Sequence, residues 1–368
     1  MPHAGRRNQV GGRSLSGPDG RNRSAPGGGP HVAFTPLDRG SSWTLPAAPA
    51  RWRAAADGTH RVLATAVLGG AAAGALAWPQ AGTALAPWSG AALLVGGALI
   101  GVPHGSSDFV VAHRVMRPRF GRAWLPVFLV AYLSLVAAVM VGWTLAPLAT
   151  LLLFVGLSGL HFGRGDLRAD ERRDGLAVAV RATTPLLPVL LVHAAGVAPL
   201  VAALAGAQAT AVAGVLEGLR WLLVPWGLAV ACTVLGPCTF RPGPPARTGG
   251  AGDAAEVGAI AAAAVVLPPL LGFALYFCLV HAVRHMIGIA DDHRPGDARR
   301  ATLLAGAIVA PSALVCLAAL GLTWAGIGGT LGTTDVLAWS LRLIAALTVP
   351  HMALEAWAER STPERRRA

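Results

Sequence analysis

From Val62 onward the chain alternates long apolar runs with short polar breaks, a pattern that reads as membrane helices rather than strands. It predicts helices at 62–84, 88–113, 124–144, 147–163, 176–193, 197–215, 221–236, 257–290, 303–326 and 335–357. The expected fold is all-α, a polytopic transmembrane bundle of about eight to ten helices. The runs near residues 180 and 205 fall short of the ~20 residues a span needs. Pro268 and Pro269 make 257–290 either one kinked helix or two segments. Residues 1–57 hold much Gly, Pro, Ser and Arg and no sustained apolar run, so they are expected to form a disordered cytoplasmic tail. Residues 58–358 form the transmembrane domain, and 359–368 a basic C-terminal tail.

Composition agrees with the pattern: 54% of residues are hydrophobic, only 13% are charged, and the mean hydropathy is +0.55. The net charge of +12 would suggest nucleic acid in a soluble protein. Here the basic residues are all arginine and cluster at the tails and between apolar runs, which fits topology control and anionic lipid instead, with no nucleic-acid partner. In the ten-helix count every basic segment except the 237–256 loop falls on one side. The positive-inside rule makes that side cytoplasmic, so the expected location is the cell (inner) membrane with both termini inside. Cys232, Cys238, Cys278 and Cys316 show no metal-ligand spacing and read as packing residues.

The chemistry lies in histidines where apolar runs end. GVPHGSSD sets His104 and Asp108 four residues apart, and SGLHFGRGD carries His161 and Asp166. FALYFCLVHAVRH puts His281 and His285 on one helix face, with Arg284 pointing elsewhere and Asp291 and Asp292 further on. VPHMALEAW adds His351 and Glu355. On this topology all four motifs lie near the same ends of their helices. Imidazoles are common ligands for iron, zinc and copper, and carboxylates commonly orient a ligating ring. An all-histidine site in apolar surroundings favours redox iron, with zinc as the alternative. Asp108, Asp166, Arg284 and His351 are candidates to stand behind the ligands. Phe109, Phe162, Tyr276 and Phe277 are ordinary packing residues by type, but some can line a slot for a long apolar ligand. His113, His193 and His293 read as structural, and His3, His31 and His60 as part of the tail. The same histidines would serve two other classes of membrane protein, one that binds haem through paired axial rings and one that transports ions or protons.

In order, GVPHGSSD, SGLHFG with Asp166, FALYFCLVHAVRH and the late PHM resemble the Brp/Blh family of membrane proteins over about Val95 to Trp357. These are the bacterial and archaeal β-carotene 15,15′-dioxygenases that make retinal. The resemblance implies a non-haem Fe(II) enzyme that cleaves the central double bond of β-carotene with O₂, or a related oxygenase acting on another polyene. It implies iron ligands at His104, His161, His281 and His285, and a retinal product for a partner such as a rhodopsin. Ala282 stands where the family often has a small hydroxyl residue, and the 237–256 segment lies outside the shared motifs and reads as a disordered addition.

Overall fold

The computed structural model describes residues 48–167, 172, 174–235, 251–293 and 333–361, and no strand occurs among them. The helices are α1 (Ala48–Ala77), α2 (Pro79–Leu85), α3 (Ser89–Gly96), α4 (Val102–Ser106), α5 (Asp108–Phe120), α6 (Trp124–Leu145), α7 (Pro147–Gly165) and α8 (Gly175–Thr183). They continue as α9 (Leu187–Leu191), α10 (Ala194–Ala205), α11 (Ala209–Gly218), α12 (Leu223–Leu235), α13 (Ala251–Val266), α14 (Pro269–Tyr276), α15 (Ala282–His293) and α16 (Thr333–Ser361). A helix satisfies its own backbone polar groups, which is what lipid demands of a lone segment. Among the described residues six helical runs are long and apolar enough to cross a membrane: Arg53–Ala77, Pro79–Leu145, Pro147–Gly165, Ala209–Leu235, Pro269–Ala290 and Thr334–Ser361. Their outer faces carry exposed Val62, Leu145, Leu152, Trp221 and Leu235, which lipid accepts and water does not.

Prolines open α2, α7 and α14, where a missing N–H costs nothing. Gly121, at φ 54°, lets the chain leave α5 and return as α6, which packs beside it. Two π-helical turns interrupt the regular winding, Gly97–Gly101 between α3 and α4 and Phe277–His281 between α14 and α15, and they touch each other.

Several expected boundaries move. α1 begins at Ala48, before the expected start at 62, so residues 48–57 belong to a helix rather than to the tail. The run at 176–193 divides into α8 and α9 around Pro185 and Pro188. The run at 197–215 divides at Gly206, which takes left-handed φ 65°. The 257–290 run is two segments, broken at Pro268. Residues 251–256, expected to be part of a disordered insertion, are the first turns of α13. The helix expected at 303–326 lies outside the described residues, as do Cys238 and Cys316.

One core joins α1, α7, α13 and the second π turn through Leu68, Phe162, Ile260, Ala263, Tyr276 and Val280. Another joins α5 to α16 through Val111, Ala112, Val115, Met116, Leu354 and Ala358. α7 approaches α8 so closely that a Cβ on Gly163 would lie 2.6 Å from the Val178 carbonyl oxygen. These contacts fix the helices that carry the histidines.

Candidate metal centre

Five imidazoles from four helical regions meet in the interior. His104 comes from α4, directly after the first π turn, His161 from α7, and His281 closes the second π turn. His285 follows on α15, and His351 comes from α16. The centroid of the His104 ring lies 4.2 Å from that of His285, 4.7 Å from His351 and 5.3 Å from His281. His161 lies 4.9 Å from His281 and 5.3 Å from His351, and its Nε2 is 3.1 Å from His281 Nε2. Ligand atoms of His104, His285 and His351, and of His104, His161 and His281, form two sets within 4.8 Å.

This arrangement fits a metal ion. His104 Nδ1, His285 Nε2 and His351 Nε2 are buried without a hydrogen-bond partner, and such atoms normally find one. With metal–nitrogen bonds of ~2.1 Å, rings on neighbouring positions of one ion have centroids roughly 4.5–5.3 Å apart and opposite rings roughly 6.5 Å apart. The pairs above span 4.2 to 5.3 Å, and His281 and His285 stand 6.5 Å apart and nearly parallel. An all-imidazole donor set suits iron, copper or zinc.

Carboxylates set two of the rings. His281 Nδ1 donates to Asp166 Oδ1 at 3.0 Å, and Tyr276 donates its hydroxyl to Asp166 Oδ2 at 2.7 Å. Burial pushes the Asp166 carboxyl up, but His281, Arg284 and the hydrogen bonds outweigh it and hold the group below the usual carboxylate range. Asp166 therefore accepts both bonds, which turns His281 Nε2 toward the other rings. His351 Nδ1 likewise donates to Asp108 Oδ1 at 2.6 Å. Glu355 Oε1 lies 3.3 Å from His285 Nε2 without a hydrogen bond between them.

Arg284 points away from the rings, as its helix position predicts. One guanidinium nitrogen donates to the Asp166 carbonyl at 3.1 Å, and the other reaches both oxygens of Glu256 at 2.8 Å. Glu256 is wholly buried and also meets Arg181 at 2.6 Å and Arg61 at 3.1 Å, while Arg61 pairs with Asp253 as well. Burial pushes the Glu256 carboxyl up, and Arg181 and Arg284 more than reverse that. Sequence reasoning missed Glu256 because it sits in a Gly- and Pro-rich stretch. Its signal was a lone acidic pair, Asp253 and Glu256, opening an alanine-rich helix.

His60 was missed too, having been read as tail. It lies on α1 and donates Nε2 to the Leu279 carbonyl at 2.6 Å, inside the second π turn. There the Ala282 N–H reaches back five residues to Phe277, so the regular carbonyl pairing is disturbed and a side chain supplies a donor. His113 bonds to Arg117 at 2.9 Å and His193 to the Ala264 carbonyl at 3.2 Å, structural roles as expected. Asp291, Asp292 and His293 lie in α15, and their side chains fall outside the described set.

The cluster lies between two unlike cavities. An apolar slot of about 330 Å³ is lined by His104, His161, His281 and His351 together with Phe162, Phe273, Phe277, Phe154, Ile344 and Leu347. A polar vestibule of about 570 Å³ reaches His161 and His285 between Arg61, Arg164, Arg172, Arg284, Glu355 and Glu359. Of the four aromatic candidates, Phe162 and Phe277 line the slot. Phe109 does not: it is half exposed and packs edge-on against Trp124. Tyr276 does not either, being turned to Asp166.

Comparison with known proteins gives a consistent answer. A family profile described as Beta-carotene 15,15′-dioxygenase matches residues 95–359. The chain is 30% identical over 303 residues to the Probable beta-carotene 15,15′-dioxygenase Blh of Halobacterium salinarum, covering 76% of this chain and 87% of that protein. It is 25% identical over 278 residues to the Beta-carotene 15,15′-dioxygenase of uncultured marine bacterium 66A03, covering 74% and 94%. No solved structure matches. The profile spans all five clustered histidines and the carboxylates behind them, and the chain belongs to the β-carotene 15,15′-dioxygenase family.

Proposed function

We propose that this protein is a membrane-embedded dioxygenase that cleaves the central 15,15′ double bond of β-carotene to two molecules of retinal, using an iron ion held by His104, His161, His281 and His285. The observation that carries the reading is the convergence of these imidazoles on the wall of an apolar slot, in a chain of this family. When bound, Fe(II) supplies the one-electron chemistry that lets O₂ react with a closed-shell alkene. The reaction balances with O₂ alone, since its two atoms become the two carbonyl oxygens, so no acid or base is assigned.

The protein's own part is placement. The slot offers aromatic and aliphatic faces and no charged side chain, which suits a polyene and excludes water. The middle of the polyene lies in the slot, beside the histidines that line its wall. Asp166 and Asp108 fix two rings, and Phe277 stacks between Phe273 and His281, with interplanar angles of 10° and 19°. The vestibule supplies a polar approach from the other side. A porphyrin does not fit the same rings, because His104 stands within 5.3 Å of both His281 and His285 where the macrocycle would lie. The site faces the cytoplasmic side of the cell membrane, and retinal leaves through lipid or to a retinal-binding partner such as a rhodopsin.

Expression in bacteria that accumulate β-carotene tests this directly. Colour is lost and retinal appears by chromatography, and alanine at His104, His161, His281 or His285 abolishes both while the protein still inserts. Full activity in any two of these variants refutes the ligand set.

A further inference from the structure

His351 was expected to stand behind the ligands, but its ring sits among them. It is 2% exposed, its Nε2 is buried without a partner, and its centroid lies 4.7 Å from His104 and 5.3 Å from both His161 and His285. Those are the spacings of rings sharing one ion. Asp108 accepts from His351 Nδ1 at 2.6 Å, just as Asp166 accepts from His281 Nδ1 at 3.0 Å. Each carboxylate therefore orients a ring whose ligand atom is grouped with that of His104, His281 in one set and His351 in the other.

We propose that His351 is a fifth ligand of the metal centre, oriented by Asp108, so that five imidazoles leave one open position on a six-coordinate ion. This deepens the metal reading above and rests on it. The carboxylates also explain the charge. A dication surrounded by neutral imidazoles in apolar packing carries two uncompensated charges, and Asp108 and Asp166, 2% and 5% exposed, supply two. The competing explanation is a purely structural ion pair, with His351 protonated against Asp108. That leaves a second N–H, on Nε2, aimed at the other rings with no acceptor to receive it. As a ligand, His351 uses both nitrogens.

The arrangement has a consequence for access. His351 and His104 line the apolar slot, while His285 lines the vestibule, so a fifth imidazole narrows the centre to one small-molecule position beside the polyene. The slot and that position are then neighbours rather than alternatives.

Purified protein in detergent, loaded anaerobically with Co(II), tests the proposal without turnover. The visible ligand-field bands of Co(II) are weak with five or six ligands and several-fold stronger with four. Wild type binds one Co(II) per chain with weak bands. His351→Ala binds it with stronger bands and a clearly lower affinity, and added imidazole restores the weak spectrum. Asp108→Asn keeps the coordination number and lowers affinity by about 10- to 100-fold. Circular dichroism and gel filtration establish that each variant is folded. Wild-type bands and affinity in His351→Ala, or a folded His351→Ala that imidazole does not change, overturn the fifth ligand and leave the four-histidine site standing. Failure of wild type to bind Co(II) at all overturns the metal reading itself.

Discussion

Replacing Glu256 by Gln is the sharpest test of how the centre is held. The buried carboxylate faces three guanidiniums, from Arg61, Arg181 and Arg284; Asp253 pairs with Arg61 and stands 4.0 Å from Arg181, and the Asp166 carboxylate also acts on Arg284. Glutamine keeps the shape but removes the charge, leaving buried Arg181 with only Asp253 at 4.0 Å and buried Arg284 with only the more distant Asp166 carboxylate. Breaking a buried ion pair on one side costs about 3–5 kcal/mol, against 0–1 kcal/mol for an exposed pair. Because Arg284 also holds the Asp166 backbone, and Asp166 aims His281, the same change weakens metal binding. The assay is thermal unfolding in detergent followed by tryptophan fluorescence, with Co(II) affinity measured in parallel. Adding Arg181→Met to Glu256→Gln removes one stranded cation and recovers part of the loss. The pH dependence has a definite sign. The folded Glu256 sits below its ordinary value, so its contribution is complete above ~4.3, the value of a free glutamate, and disappears as pH falls through the folded value. A loss under about 1 kcal/mol with unchanged Co(II) affinity would refute the reasoning.

Two further predictions concern the slot and the topology. A Cβ on Gly101 would lie 2.5 Å from Phe277 Cε1, so Gly101→Ala displaces a stacked ring, costs ~1–3 kcal/mol and lowers turnover of β-carotene; unfolding and steady-state assays check it, and Gly97→Ala, with open space around its Cβ, is the stability control. In a cysteine-free background, cysteines placed at Arg119, Arg168 and Gly296 stay shielded from an impermeant thiol reagent in intact cells, and one at Gly249 stays shielded too, because the start of α13 packs beside Arg61 of α1; residues 119 and 296 reporting opposite sides would refute the cytoplasmic orientation.

What the sequence made legible was polarity in the wrong place. His104, His161, His281, His285 and His351 interrupt apolar runs, and an ionisable group there needs a reason. Helix class and the kink at Pro268 were likewise readable, because apolar length and proline are local properties. The partners of those groups were not. Glu256 matters because the fold brings α13 against Arg61 of α1, Arg181 of α8 and Arg284 of α15, and His60 because α1 crosses the second π turn; neither relation leaves a local trace. His351 looked peripheral since its motif is short, and only the fold shows its ring 4.7 Å from His104. Phe109 and Tyr276 failed as slot residues for the same reason, since aromatic type says nothing of direction.

The two π turns have one more implication, for how such a site can be altered or copied. In an α-helix each residue advances the winding by ~100°, so a residue removed from either turn would swing everything after it to a different face. Shortening Phe277–His281 by one position would leave the HAVRH string intact and carry both imidazoles away from His104. The spelling of the motif would survive and the chemistry would not. Grafting these histidines onto an uninterrupted helical bundle should therefore fail, whereas transplanting each wide turn together with its clamp, His60 on the Leu279 carbonyl, carries the rotational setting along with the ligands.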